Sequence, residues 1–489
     1  MLFNSFEFML FLPIVFLLYW FVFKPRRLQN LFLVVASYVF YGWWDWRFLL
    51  LIALTSACSY ASGLLLEHYE GRRKAQKIVS ASNIVLNLLI LGVFKYYNFF
   101  VESLETLFSS LFNYHLDWVT INVILPVGIS FYTFQALSYT IDVYQKKLPA
   151  THDIVEFFAY ISFFPQLVAG PIERATNLLP QFQRDRQFDY AKAVDGMRQM
   201  LWGFFKKVVI ADNYAKIVDN IWGMYSEEPS LILLLGAVLF TFQIYCDFSG
   251  YSDIAIGCAK LFGINLMQNF NLPYLSRSIP EFWRRWHISL MTWFRDYIYI
   301  PLGGSRCAKW KVIRNTMIVF TVSGLWHGAN WTFICWGLYH ACLIALFLLI
   351  SANTKSKEII ARGKFLPSAK EFFQLATTFA LVTIGWIIFR ADSMSDAINY
   401  ISLIIDQSIF DIPYTIENRK GINLFIIIVT LPFLVIVEWV QREKRHALQI
   451  SGTNLFTRNI VIRFLIYTII ALFICGNFGK QSEFIYFQF

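Results

Sequence analysis

The sequence predicts an all-α polytopic membrane protein. Three observations carry that reading: 57% of the 489 residues are hydrophobic, only 15% are charged, and the apolar residues gather into long runs. Ordinary globular chains are roughly half apolar and a quarter charged, and a perpendicular helical span needs about 20 apolar residues. Candidate spans are 6–23, 29–42, 47–66, 79–98, 121–140, 154–170, 230–246, 315–327, 331–351, 371–390, 421–440 and 460–476. We expect about eleven to thirteen membrane segments in a single integral-membrane domain, because the shorter runs must tilt, break or re-enter.

The first run is followed, not preceded, by basic residues (Lys24, Arg26, Arg27) and has no small-residue cleavage pattern. It reads as a retained first span and not as a signal peptide. The net charge of +10 is no nucleic-acid signature, because the cations cluster in short connections: 24–27, 72–77, 146–147, 306–314, 355–364 and 442–445. That is the positive-inside pattern, and it assigns these connections to the cytoplasm and the N-terminus to the outside. The acid-containing connections 212–228 and 392–417 then fall outside, while 154–212 and 247–314 fit either side. The seven cysteines form no CxxC pair and lie mostly in or beside apolar runs, so they read as buried thiols.

No stretch resembles a soluble domain; the longest polar connections are 171–192 and 391–420. Chemistry must therefore reside in the membrane body. There is no internal repeat of the kind common in carriers. Phosphate-loop, dinucleotide, zinc-protease and serine-hydrolase motifs are also missing, and no ligand spacing suggests a metal.

From 241 to 253 the apolar run closes with polar groups, and Gln243, Asp247, Gly250 and Tyr251 recur at helical spacing. This implies an inward polar stripe, or a helix end emerging among headgroups. Pro273 and Pro280 then break the pattern. Residues 282–299 read as an amphipathic interfacial helix, with Trp283, Trp286, Leu290, Trp293 and Tyr297 on one side and Arg284, Arg285 and Arg295 on a basic face. Such a face serves an anionic donor, an acidic carrier protein or lipid headgroups.

Histidine is the remaining chemical signal, because its pKa near 6.5 suits proton exchange at neutrality. His68, His115, His152 and His446 lie in polar connections and read as surface residues. His327, in Ser323-Gly324-Leu325-Trp326-His327-Gly328-Ala329-Asn330-Trp331, lies in an apolar run where an ionisable group is costly and thus suspect. Its small neighbours suit either close helix packing or space for a substrate. His340 would face away from His327 on a continuous helix, which suggests a structural hydrogen bond.

These motifs resemble a known family. SGLWHGANW, QNFNLPYLSRSIPEFWRRWHISL, YCDFSGYSDIAIG, LPVGISFYTFQALSYTIDVY, FFPQLVAGPI and the terminal FIYFQF together resemble motifs that occur in one order along the chain in the bacterial branch of the membrane-bound O-acyltransferases. The likeness is greatest to the alginate O-acetylation group, with teichoic-acid D-alanyl transfer proteins as cousins. The resemblance covers nearly the whole chain. It implies a helical fold around a tunnel or opposed funnels, a family core near 121–345, peripheral helices over 1–100 and C-terminal helices over 371–489.

It also implies that His327 is the catalytic base and His287 a second functional histidine orienting or polarising the donor. Asp247, Tyr251, Asn271, Trp326 and Asn330 become candidate lining. The donor would be a cytoplasmic acyl thioester, acetyl-CoA or an acyl carrier protein, with no permanently bound cofactor. The acceptor would be a hydroxyl on an outer polysaccharide such as alginate. Partners would be membrane lipid and a periplasmic or surface transferase docking at Tyr486, Phe487 and Phe489, in the inner membrane of a bacterium. A transporter or a scaffold that passes acyl groups onward is the competing reading.

Overall fold

A computed structural model of the chain describes residues 1–112, 125–168, 170–350, 359–405, 424–450, 459–479, 482, 484 and 485. All regular elements among them are helical. Among the described residues, six helical stretches are long and apolar enough to cross a membrane: Trp46–His68, Arg73–Phe112, Ser230–Leu261, Trp331–Leu349, Ala369–Arg390 and Ile460–Asn477. Phe6–Val22, Met394–Ile405 and Phe425–Val440 are shorter apolar helices. The protein is a multi-pass membrane protein. The expected span 154–170 breaks at Phe163 into Ile154–Ser162 and the single turn Phe164–Leu167. Part of the expected span 121–140 lies outside the described residues. All seven cysteines are free; Cys246 and Cys258 are buried, whereas Cys342 and Cys475 are exposed.

The chain forms two compact units. One comprises Met1–Tyr190, Leu261–Leu266 and Gly328–Asn330; the other comprises Ala191–Lys260, Met267–His327 and Trp331–Phe489.

The first unit contains α1 (Phe6–Leu17), α2 (Arg26–Gly42), α3 (Leu49–His68), α4 (Arg73–Leu91), α5 (Tyr97–Phe112), α6 (Ile129–Tyr144), α7 (Ile154–Ser162) and α8 (Ala175–Phe182). Small and polar residues join its helices, as expected where lipid removes the hydrophobic drive between them. Gly63 of α3 abuts the Tyr139 ring of α6 so closely that a Cβ there would overlap it. Beside it, Asn83 donates to Thr140 Oγ1 at 2.7 Å, and Ser62 lies 3.2 Å from the same hydroxyl.

The second unit begins with α9 (Tyr190–Phe204), which continues through a π-helical turn, Phe205–Ala211, into α10 (Asp212–Gly223). Next comes α11 (Ser230–Leu261), 32 residues long. The stripe at 241–253 is thus mid-helix, not a helix end. Glycines bring α9 and α11 together: a Cβ on Gly203 would stand 2.6 Å from the Gly250 carbonyl oxygen, and one on Gly250 2.8 Å from that of Gly203.

Residues 282–299 do not form the expected continuous amphipathic helix. They divide into α12 (Ile279–Arg285), α13 (Ile288–Phe294) and a π-helical turn, Arg295–Tyr299, because His287 adopts φ 44° and ψ 51° and interrupts the run. Trp283, Trp286 and Trp293 are buried in the protein instead of lying at a membrane interface. The unit closes with α14 (Lys309–His327), α15 (Trp331–Leu349), α16 (Ala369–Arg390), α17 (Met394–Ile405), α18 (Leu424–Val440) and α19 (Ile460–Asn477). A Ser368–Glu371 capping box starts α16.

Candidate active site

His287 is held by its backbone and by one asparagine. The left-handed backbone is unusual for a non-glycine residue and costs on the order of 1–3 kcal/mol, so it persists only where the surroundings impose it. Two hydrogen bonds do so, from the Asn271 amide to the Arg285 carbonyl and from the Ile288 amide to the Asn269 carbonyl, both 2.9 Å. The Asn269 side chain completes the clamp. Its Oδ1 accepts from the Ser289 hydroxyl at 2.8 Å and the Ser289 amide at 3.3 Å, and lies 3.1 Å from His287 Nδ1. An oxygen receiving a backbone N–H is an acceptor, so Nδ1 carries the proton and Nε2 is the basic nitrogen. Phe248 meets the imidazole edge-on at 4.6 Å between centroids.

His327 ends α14, the helix that packs most tightly on α15. A Cβ at Gly324 would overlap the Phe333 carbonyl, and one at Gly337 the Phe320 carbonyl. Gly324, one turn before His327, therefore serves close packing. That packing fixes the imidazole against Trp326, Trp336 and Phe389, at 4.9, 5.1 and 5.4 Å between centroids. Trp326 also stands 5.8 Å from His287. One indole thus touches both histidines, which are separated by forty positions in sequence. Both histidines are at least 97% buried.

His340 differs from expectation. The turn at 328–330 reverses the chain, so the argument from a continuous helix does not apply, and His340 reaches the same Trp336 at 5.3 Å. Among the described residues, neither ring nitrogen of His340 has a hydrogen-bond partner. Trp283 at 5.0 Å and the bare Cα of Gly385 enclose it, since a Cβ at Gly385 would approach Nε2 to 2.6 Å. The expected structural hydrogen bond is replaced by an aromatic enclosure.

The other sequence candidates separate. Asp247 and Tyr251 turn inward from α11, Asp247 to Lys207 at 2.6 Å and Tyr251 to Phe484 at 4.9 Å between centroids. Asn271 is exposed and contributes its backbone, while Asn269, two residues earlier, supplies the side chain at His287. Asn330 is half-buried in the turn after His327. In the basic face, Arg284 and Arg295 are exposed, Arg295 pairing with its neighbour Asp296 at 2.7 Å. Arg285 instead turns to Glu281 at 2.8 Å. Tyr486, Phe487 and Phe489 lie outside the described residues.

Sequence reasoning missed two buried lysines. The π-helical turn after α9 directs both inward, Lys206 to Asp253 at 2.6 Å and Ser249 at 2.9 Å, and Lys207 to Asp212 at 2.8 Å and Asp247. Such turns are frequent at functional sites. Lys206 borders a cavity that is also lined by Ser252, Asp253, Asn269, Glu438 and the basic trio Lys444, Arg445 and His446. At its edge Asp195 binds His446 at 3.0 Å and Lys260 at 2.6 Å. Burial alone would raise the Asp195 carboxyl, but hydrogen bonds from His446 and Lys260 outweigh it and hold the group below the usual carboxylate range. Neither His287 nor His327 lines this cavity, but Asn269 forms part of its wall and touches His287 from behind.

The membrane-bound O-acyltransferase family model matches residues 38–382. This chain belongs to that family. Like other membrane-bound O-acyltransferases, it is an acyl-transfer enzyme. Among its relatives, the "Probable alginate O-acetylase AlgI" of Pseudomonas aeruginosa is 42% identical over 81% of this chain and 73% of its own. The protein of the same name from Pseudomonas putida is 37% identical over the full length of both. The "Peptidoglycan O-acetyltransferase" of Helicobacter pylori is 30% identical over 98% of this chain and 95% of its own.

Proposed function

We propose that this O-acyltransferase moves an acetyl group from a cytoplasmic thioester to a hydroxyl of a cell-surface or exported polysaccharide, alginate being the acceptor that relatives 37–42% identical to it suggest by name. The observation that carries the reading is the pair of buried imidazoles flanking Trp326. A neutral sugar hydroxyl is a weak nucleophile, and a positioned imidazole removing its proton during attack supplies roughly 10²- to 10⁴-fold in rate. His327 takes this role. The oxygen then attacks the thioester carbonyl, the C–S bond breaks, and the thiol leaves with the proton returned from the imidazole.

His287, with Nδ1 donating to Asn269, offers Nε2 as an acceptor. That tautomer suits orienting the donor through a hydrogen bond and does not suit polarising its carbonyl, which needs a donor. The cavity supports entry of an anionic donor, because Lys444 and Arg445 lie in the connection 442–445, which the positive-inside pattern assigns to the cytoplasm. The setting is the cell membrane of a bacterium, and a periplasmic or surface transferase carries the group onward where acceptor and membrane are apart.

The test is purified protein in lipid nanodiscs with radiolabelled acetyl-CoA or acetylated acyl carrier protein and, as acceptors, alginate and peptidoglycan fragments. Label in a polymer, dependent on the protein, is the expected result. Efflux of intact acetyl-CoA across proteoliposomes without any covalent transfer would overturn the reading in favour of a transporter.

A further inference from the structure

We propose that Lys207, Asp212 and Asp247 form a buried latch for the C-terminal residues Ser482, Phe484 and Ile485, and that acyl transfer requires this segment to be seated. The three are positioning residues, and the proposal rests on the acyl-transfer reading above. Lys207 and both aspartates are at least 97% buried. One ammonium between two carboxylates leaves an excess negative charge away from water, an arrangement that is costly unless further donors compensate it. The C-terminal residues bring those donors. The Ile485 amide donates to Asp247 Oδ2 at 2.8 Å, and the Ser482 hydroxyl to Asp212 Oδ1 at 2.7 Å. Lys207 Nζ in turn approaches the Ser482 carbonyl at 3.5 Å and lies 5.9 Å from the centre of the Phe484 ring.

The seat leads to the site. Phe484 packs on Tyr251 and, at 6.2 Å, on Phe248, the ring that meets His287 edge-on. Releasing the segment removes the support behind Phe248, the ring that packs against His287. A structural salt cluster would explain the ion pairs alone. It does not explain why an amide and a hydroxyl from residues 482–485 satisfy carboxylates on α10 and α11, nor why the ring between them abuts the histidine's own neighbour.

Three variants separate the possibilities: Asp247→Asn, which removes one carboxylate charge from the latch; Ile485→Pro, which removes the donated N–H; and Lys207→Arg, which retains the cation. Hydrogen–deuterium exchange of the C-terminal peptide reports seating, and acetyl transfer per folded molecule reports function. For Asp247→Asn and Ile485→Pro we expect faster exchange together with a roughly 10- to 100-fold lower kcat at an unchanged KM for the thioester donor. Lys207→Arg, which keeps the cation, should retain part of both the seating and the turnover. Turnover per folded molecule that stays at the wild-type level while the segment exchanges freely would overturn the proposal, as would exchange left unchanged by Asp247→Asn. If the wild-type protein transfers no acyl group, the function reading fails, and exchange alone then decides whether the latch exists.

Discussion

Asn269→Ala removes one side chain that bears on the orientation of His287, its tautomer and the strained backbone beneath it. Asn269 Oδ1 accepts from the Ser289 hydroxyl and amide and pairs with His287 Nδ1. Alanine leaves those buried donors without their acceptor, which costs about 1–3 kcal/mol. The loop keeps its two backbone hydrogen bonds, so the protein should fold with a lower melting temperature. With Nδ1 no longer committed as donor, the ring loses the preference that makes Nε2 basic. If about 1.4–2.7 kcal/mol of that loss falls on the transition state, kcat drops roughly 10- to 100-fold. The assay is acetyl transfer to polysaccharide by protein in nanodiscs, normalised to the folded fraction. Asn269→Asp retains the acceptor and should keep more activity than alanine. A kcat within twofold of wild type for Asn269→Ala would refute the claim that this clamp sets the tautomer of a functional histidine.

Gly324→Ala forces a methyl into the Phe333 carbonyl; we expect a loss of about 1–3 kcal/mol in thermal stability and reduced turnover, because His327 lies one turn further along the same helix. Arg295→Ala, on an exposed side chain paired only locally with Asp296, should change stability by less than about 1 kcal/mol. For Asp195, whose carboxyl is held below its ordinary range, the stabilising contribution is complete above the unfolded value near 3.9 and declines as pH falls below it. Asp195→Asn should therefore lower the melting temperature at pH 7, and the difference from wild type should narrow as pH is taken below about 4.

The fold class and the acyltransferase family were legible in the sequence because they rest on what composition and local motifs encode: apolar runs, and several long motifs shared with the family. What escaped was decided by tertiary contacts. Asn271 was the named candidate, but Asn269 supplies the side chain at His287, and which of two asparagines in a non-helical segment faces inward is not set by local pattern; residues two apart share a face only in a regular strand, and here one is buried while the other is exposed. The interfacial helix over 282–299 had the right periodicity, but the backbone of His287 breaks it, and a pattern of side chains carries no record of a left-handed φ imposed by Asn269. Lys206 and Lys207 did leave a signal in Trp202-Gly203-Phe204-Phe205-Lys206-Lys207-Val208-Val209-Ile210-Ala211-Asp212: two cations enclosed by apolar residues on both sides, with an acid following. Read as a membrane-depth segment, that run demands buried counter-ions. It did not reveal that the π-helical turn would send the two lysines to separate carboxylates. The relation of His340 to His327 was misread for a similar reason, since a three-residue turn reverses the chain between them.

The most direct test of the account is single-turnover acetyl transfer by His327→Ala beside wild type, in nanodiscs, with radiolabelled acetyl thioester and polysaccharide acceptor. The account predicts a fall of roughly 10²- to 10⁴-fold in the transfer step, with the variant retaining its helical content and its binding of the donor. Transfer at the wild-type rate by folded His327→Ala would contradict it.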